Sequence, residues 1–248
     1  MIVLKTPSEI ARMRRAGRLV AQVLESLGEH IKAGVTTETL DRMAETMIRE
    51  AGAQPAFLGY RGFPATICAS VNDVIVHGIP NGRPLAEGDI VGVDIGVVVD
   101  GFYGDAAMTF PVGRISAEAE RLLEVTRGAL SAAIEHARPG KRLGDISHAI
   151  QEHVEAAGFS VVRDFVGHGI GRNMHEEPQV PNFGEPGVGV RLKPGMVLAI
   201  EPMVNAGRHE VRIMQDNWTA RTCDGRLSAH FEHTVAVTEN GPEVLTLP

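Results

Sequence analysis

The chain has 248 residues, 44% of them hydrophobic, enough to build one large domain or two small ones around a substantial core. A formal net charge of −7 with no long basic run excludes a general nucleic-acid footprint. No apolar run approaches the ~18 residues needed to span a bilayer, the opening MIVLKTPSEIARMRR lacks the order of a signal peptide, and Cys68 and Cys223 are too few for a disulfide framework. A soluble cytoplasmic protein is expected.

In chain order, Thr6-Pro7-Ser8-Glu9 predicts a helix start, with Thr6 as N-cap, Pro7 at N1 and Glu9 closing a capping box. Ile10, Met13, Val20, Val23, Leu24 and Leu27 then form one apolar face at helical spacing. Ala33-Gly34 breaks the chain, and a second helix carries Leu40, Met43, Met47 and Ile48 before Gly52. Residues 53 to 84 read as irregular, rich in Gly, Pro and aromatics, with a short apolar strand leading into His77. Asp89 to Gly113 reads as two apolar strands joined at Asp100-Gly101, a dipeptide that tolerates the positive φ of a tight turn. If Asp100 and Gly101 are the central turn residues, Asp94 faces Ala107 and shares one sheet face with Asp105. Such diagonal neighbours lie roughly 7–8 Å apart, so both carboxylates can lean towards a common point. A single Asp in a hairpin is usually a cap or a turn residue. Two on one buried face point towards a cation, because buried carboxylates need counter-charge or protonation.

Ser116, with Glu118 and Glu120 in the next turn, opens a third helix bearing Leu122, Leu123, Leu130 and Ile134. Pro139-Gly140 breaks the chain, and a fourth helix carries Ile146, Ile150 and Val154 before Gly158. The second half therefore replays the first. Gly34 and Gly140 are 106 apart, as are Gly52 and Gly158. LAEGDIVGVD (85–94) matches LKPGMVLAIE (192–201) at an offset of 107, which sets Leu85 on Leu192, Gly88 on Gly195 and Asp94 on Glu201. A final strand, AHFEHTVAVTENG (229–241), places Glu232 in the role of Asp105. A duplication with pseudo-repeats over about 6–113 and 115–241, forming one domain over 1–248, is expected. Joined halves would bring Asp94, Asp105, Glu201 and Glu232 into one cleft, where a two-metal site resolves their repulsion.

The segment VGHGIGRNMHEEP sets His168 and His175 seven residues apart in a glycine-rich stretch, unlike the four-residue spacing of a helical zinc pair. A lone His is usually a surface or hydrogen-bonded structural residue. Beside four acids, His168, His175 and His77 become functional candidates. His30, His136, His148, His153 and His209 sit in helix-like or polar surroundings, and His230 and His233 are expected on the face opposite Glu232. Four carboxylates with one or two imidazoles make a hard, oxygen-rich site suited to Mn, Fe, Co or Zn. A metal pair some ~3.5–4 Å apart can activate a hydroxide and stabilise a tetrahedral oxyanion, so amide or ester hydrolysis is the natural reaction. No nucleophilic Ser elbow or phosphate-binding loop competes.

Together GFPATICASVNDVIVHGIP, DIGVVVDGFYGD, GHGIG, HEEPQV, LAIEPM and DNWTARTCDGRLSAHFEHT resemble the type I methionine aminopeptidases over nearly the whole chain. The resemblance implies the pita-bread fold, an α/β (α+β) architecture of duplicated helix-helix-strand halves around a central antiparallel sheet. It implies removal of initiator methionine from nascent chains, with a small second residue preferred, by a water activated at two divalent ions (Co, Mn, Fe or Zn). By the same resemblance Asp94 chelates one metal, Asp105 and Glu232 bridge both, and His168 and Glu201 complete the other, with Glu201 also moving a proton. His175 supports the developing oxyanion and His77 lies by the scissile amide. Tyr60, Phe63, Cys68, Met174 and Trp218 match the methionine pocket. Asn72, Val74 and Ser228 match a site for a monovalent cation, Na or K. A monomer that meets the ribosome transiently, without nucleic-acid specificity or membrane contact, is the expected partner pattern. Two departures stand out: Met174 where the family commonly has Phe, and His230-Phe231 where Gln-Tyr is more usual. Rivals are a prolidase-type enzyme with the same five ligands, and a non-catalytic binding module. The filled ligand positions and the acidic charge speak against the latter.

Overall fold

Helix α1 (Pro7–His30) begins where its capping residues dictate: the Thr6 hydroxyl accepts from the Glu9 N–H, and the Glu9 carboxylate accepts from the Thr6 N–H at 2.9 Å. The structure, a computed structural model, describes all of residues 1–248. α2 (Thr37–Glu50) is capped by Thr36. Strands β1 (Gln54–Pro55), β2 (Ile67–Val71) and β3 (Val74–Val76) lead to the long hairpin β4 (Ile90–Val99) and β5 (Phe102–Pro111). Helices α3 (Ala117–His136), capped by Ser116, and α4 (Leu143–Ala156) follow. The chain then runs through β6 (Ser160–Val161), β7 (Val166–Gly169), β8 (Glu176–Pro181), β9 (Val197–Ile200) and β10 (Met203–Asn205). It closes with β11 (Val211–Ile213), β12 (Ala220–Thr222), β13 (Ser228–His230), β14 (His233–Thr238) and β15 (Gly241–Val244).

The turn chemistry sets the register of the central hairpin. Asp100 and Gly101 have φ of 50° and 74°, the doubly positive turn that matches strand twist. Val99 therefore pairs with Phe102 and Asp94 with Ala107, as the turn residues predict. β4 is flanked by β1, β2 and β5 in one antiparallel sheet, and a second runs β15-β14-β9-β7-β8. Each sheet buries its apolar face under one helix pair. Val20, Leu24, Leu40 and Ile48 pack on Val91, Val93 and Ile95. Leu122, Leu130, Ile146 and Ile150 pack on Leu198, Ile200 and Val235. The sheets meet along a seam where Glu232 N donates to the Ala107 carbonyl (2.9 Å) and the Thr234 hydroxyl donates to the Asp105 carbonyl (2.7 Å).

Several local geometries recur at the 106–107 residue offset. Gly34 N donates to Leu85 O and Leu85 N to Val35 O; Gly140 N donates to Leu192 O and Leu192 N to Lys141 O. Gly52 and Gly158 both leave their helices at positive φ, 73° and 80°, in the left-handed conformation glycine favours.

Two expectations need correction. Residues 53 to 84 are not irregular throughout: β2 pairs with β4, setting Cys68 directly beside Asp94. Its start is fixed by Asp41 of α2, whose Oδ1 accepts from the N–H groups of Thr66 and Ile67 at 2.8 and 2.9 Å. The final strand over 229–241 is also interrupted. It breaks at Phe231 and Glu232, where the chain leaves β10 for β9 and makes its bridge to Ala107.

A buried ion pair ties the N-terminus to the middle of the chain. Lys5 Nζ lies 2.6 Å from Glu176 Oε2, with the two side chains 4% and 9% exposed, and Glu176 Oε1 accepts from the Asn173 N–H. Removing one partner strands the other charge in the interior, which typically costs about 3–5 kcal/mol. Lys5→Met is expected to lose stability on that scale in denaturant unfolding, and Lys5→Met/Glu176→Met to recover most of it.

Candidate metal centre and active site

Five side chains converge from three strands, one strand end and one break between strands. Asp94 and Asp105 project from the same face of the β4–β5 hairpin. His168 lies between two glycines for a steric reason: a Cβ at Gly167 would strike the Ala199 carbonyl, and one at Gly169 the Glu177 carbonyl. β7 therefore packs backbone to backbone against β8 and β9, and His168 Nδ1 contacts the Gly169 carbonyl at 2.8 Å. This contact holds the ring with Nε2 turned to the acids. Glu201 follows β9, and Glu232 sits in the break between β13 and β14.

His168 Nε2 is 3.9 Å from Asp105 Oδ2 and 3.8 Å from Glu201 Oε1. Asp105, His168 and Glu232 form one convergent group, and Glu201, His230 and Glu232 a second. None of the four acids pairs with a lysine or arginine. Burial pushes the carboxyls of Asp94, Glu201 and Glu232 well above the usual range, and neighbouring acids add to it. Asp105 is raised by burial as well. Asp94 Oδ1, Asp105 Oδ1, Glu232 Oε1 and His230 Nε2 are buried without hydrogen-bond partners. Buried polar atoms are ordinarily satisfied. Orphaned acceptors on residues whose ligand atoms lie within 4.8 Å of one another in two groups of three fit divalent cations with oxygen and nitrogen ligands.

His230 corrects the expectation that it faces away from Glu232. Residues two apart share a strand face, and its Nε2 lies 3.5 Å from Glu201 Oε2 and 3.9 Å from Glu232 Oε2. Burial lowers its pKa to about 3, so the ring is neutral. His233 does point elsewhere, its Nδ1 2.8 Å from the Thr246 hydroxyl.

A cavity of about 150 Å³ opens onto this cluster. Tyr60, Phe63, Cys68, Met174 and Trp218, the expected pocket residues, all line it, with His77 and His175 beside the acids. Phe63 and Trp218 meet edge to face at 5.1 Å between centroids. Tyr60 stacks on His175, and its hydroxyl is 2.8 Å from His175 Nδ1. The His175 ring in turn lies 4.3 Å from His168. Burial lowers the pKa of His77 and His168 to about 4, so both are neutral at pH 7. Phe57 and Arg61 line the cavity too and were not singled out from sequence; Arg61 takes a φ of 50° that residue type does not announce. Asn72, Val74 and Ser228 lie apart from the cavity. Ser228 N donates to the Asn72 carbonyl at 2.9 Å, and Asn72 sits at φ 56° just before β3.

The profile of metallopeptidase family M24 matches residues 11–239. The chain is 55% identical to methionine aminopeptidase 1 of Bacillus subtilis (strain 168) over 246 residues, 99% of each chain. It superposes on methionine aminopeptidase from Thermotoga maritima with a TM-score of 0.99 at 49% identity, covering all of both chains. The enzyme of that name from Rickettsia prowazekii gives 0.98 at 46%, also over both whole chains. The fold is the pita-bread fold, with antiparallel sheets between the two helix pairs. The chain belongs to metallopeptidase family M24, in its methionine aminopeptidase branch.

Proposed function

We propose that this chain hydrolyses the first peptide bond of peptides and nascent proteins that begin with methionine, preferring a small second residue. One observation carries the substrate class. The apolar end of the cavity is built on β2, whose Cys68 is the cross-strand neighbour of Asp94, so a side chain seated there holds its own carbonyl against the acid cluster. Flexible, unbranched methionine suits walls of thiol, thioether and aromatic groups.

Asp94, Asp105, His168, Glu201 and Glu232 would hold two divalent ions of the Mn, Fe, Co or Zn kind. When bound, they supply Lewis acidity, a nucleophile at neutral pH and the charge that lets four acids ionise together. The protein's own groups do the rest. His77, neutral and half-buried, lies where the scissile amide passes. His175 faces the carbonyl as a hydrogen-bond donor to the developing oxyanion. Glu201, at the edge of the cluster, takes a proton and returns it to the departing amine. Tyr60, Phe63, Cys68, Met174 and Trp218 grip the methionine side chain. Asn72, Val74 and Ser228 would hold a sodium or potassium ion apart from the substrate cavity. The molecule works as a single domain of two duplicated halves, supported by the recurring contacts at offset 106–107. It acts as a cytoplasmic monomer at the ribosome, where such substrates emerge.

With Mn, Fe or Co added to metal-free protein, Met-Ala-Ser is expected to be cleaved at least about 10-fold faster, as kcat/KM, than Met-Lys-Ser, the scale of discrimination that pocket sterics give. Equal rates would remove the preference for a small second residue. Cleavage of X-Pro peptides in place of Met-Ala-Ser would replace the assignment by a prolidase activity.

A further inference from the structure

The acid cluster contains an imidazole that the five expected ligands do not include. His230 is 3% exposed and its Nε2 has no hydrogen-bond partner. Its backbone leaves little freedom to turn away. The His230 N–H donates to Thr109 Oγ1 at 3.0 Å, the Thr109 hydroxyl donates to the His230 carbonyl at 2.9 Å, and β13 pairs His230 with Met203. The ring is thus aimed between Glu201 Oε2 at 3.5 Å and Glu232 Oε2 at 3.9 Å.

Those separations are too long for hydrogen bonds, whose donor and acceptor sit about 2.7–3.2 Å apart. They suit two donor atoms that share an ion. Ligands at about 2.0–2.2 Å from a metal, subtending ordinary angles, stand roughly 3–4 Å from each other. His168 supplies an internal standard, with its Nε2 at 3.9 and 3.8 Å from Asp105 and Glu201. The two imidazoles flank the acid cluster at matching distances, and each belongs to a three-residue group that includes Glu232. An orphaned buried nitrogen costs stability unless something takes its lone pair, and between Glu201 and Glu232 that partner is a cation.

We propose that His230 is a nitrogen ligand of the divalent ion held by Glu201 and Glu232, giving the centre two imidazoles in place of one. The inference rests on the metal centre proposed above and adds one ligand to it. A second nitrogen makes the centre softer, favouring Co, Fe and Zn over Mn.

The test uses full-length protein freed of metal by chelator, then titrated with cobalt(II). Two readouts apply: affinity for each equivalent by calorimetry, and imidazole ligands per protein by X-ray absorption at the cobalt edge. The wild type is expected to show two imidazoles at two bound ions. His230→Gln is expected to show one, and to bind one equivalent at least about 10–100-fold more weakly, the scale lost when even a supporting group of a metal site is removed. His168→Gln should also drop the count to one, which calibrates the signal. If only the stability of the metal-free protein changes in His230→Gln, with count and affinities kept, His230 is structural and the proposal fails. A wild-type count of one overturns it without any variant. Failure of the wild type to bind cobalt would bring down the metal centre itself, an outcome distinct from a normal titration with a single imidazole.

Discussion

His175→Ala is expected to lower kcat by about 10²–10³ while metal content stays at the wild-type level, since loss of one oxyanion donor has that cost. The reason is the position of the ring. His175 stacks on Tyr60 on one side and lies 4.3 Å from His168 on the other, at the junction of the cavity and the acids. Its Nδ1 is 2.8 Å from the Tyr60 hydroxyl. With the phenol as donor to Nδ1, the ring's own proton sits on Nε2, free to meet an oxyanion. Burial and the nearby Arg61 guanidinium lower its pKa, so the neutral ring dominates at pH 7 and a defined tautomer matters. An interaction made chiefly in the transition state changes kcat more than KM. Tyr60→Phe should cost less, because the ring stays stacked and loses only the bond that orders its tautomer. Steady-state kinetics on one methionyl tripeptide, with metal stoichiometry on the same samples, separate these effects. Loss of metal in His175→Ala would move His175 from the substrate to the ion.

What could be read from the chain depended on how local each determinant is. Asp100-Gly101 encodes its own turn, and the turn carries the register that puts Asp94 and Asp105 on one face. The helix caps at Thr6 and Ser116 are likewise written within four residues. β2 was not legible, because Ile67-Cys68-Ala69-Ser70 has small residues where strand patterns show large ones. Its position is set by Asp41, 25 residues earlier in sequence. The Lys5–Glu176 pair spans 171 residues and leaves no local trace. His230 is a different case. Its shared parity with Glu232 was available from alternation alone, but the break at Phe231 decides where both side chains go. At that break Glu232 bridges to Ala107 of the other half. The candidate ligands were legible as acids in apolar strands. That they come together in two groups sharing Glu232 depends on the seam between two sheets.

Glu232→Gln is expected to have the larger effect on the metal centre: at least one of the two ions should be lost or bound about 10–100-fold more weakly, with activity falling accordingly. Glu232 is 2% exposed, belongs to both three-residue groups and has an orphaned Oε1, so it is the acid both ions would share. The amide has the same shape and no charge, so the backbone bridge to Ala107 survives while one negative charge leaves each coordination sphere. The metal-free proteins should differ in the opposite sense. Burial, then the neighbouring acids, raise the Glu232 pKa well above its ordinary 4.5. A group raised in the folded state is favourable only while protonated. Its penalty begins as pH rises past 4.5, where the unfolded chain ionises, and grows until the folded pKa is reached. Glu232→Gln has no such penalty, so without metal it should be the more stable protein at pH 7 and equal to wild type near pH 4. Chelator-treated samples unfolded in urea at both pH values, beside cobalt titrations at pH 7, measure the two halves of this sign reversal. A Glu232→Gln protein that keeps both ions at wild-type affinity, or that gains no stability at pH 7 when stripped of metal, would show that Glu232 does not carry the shared charge of the site.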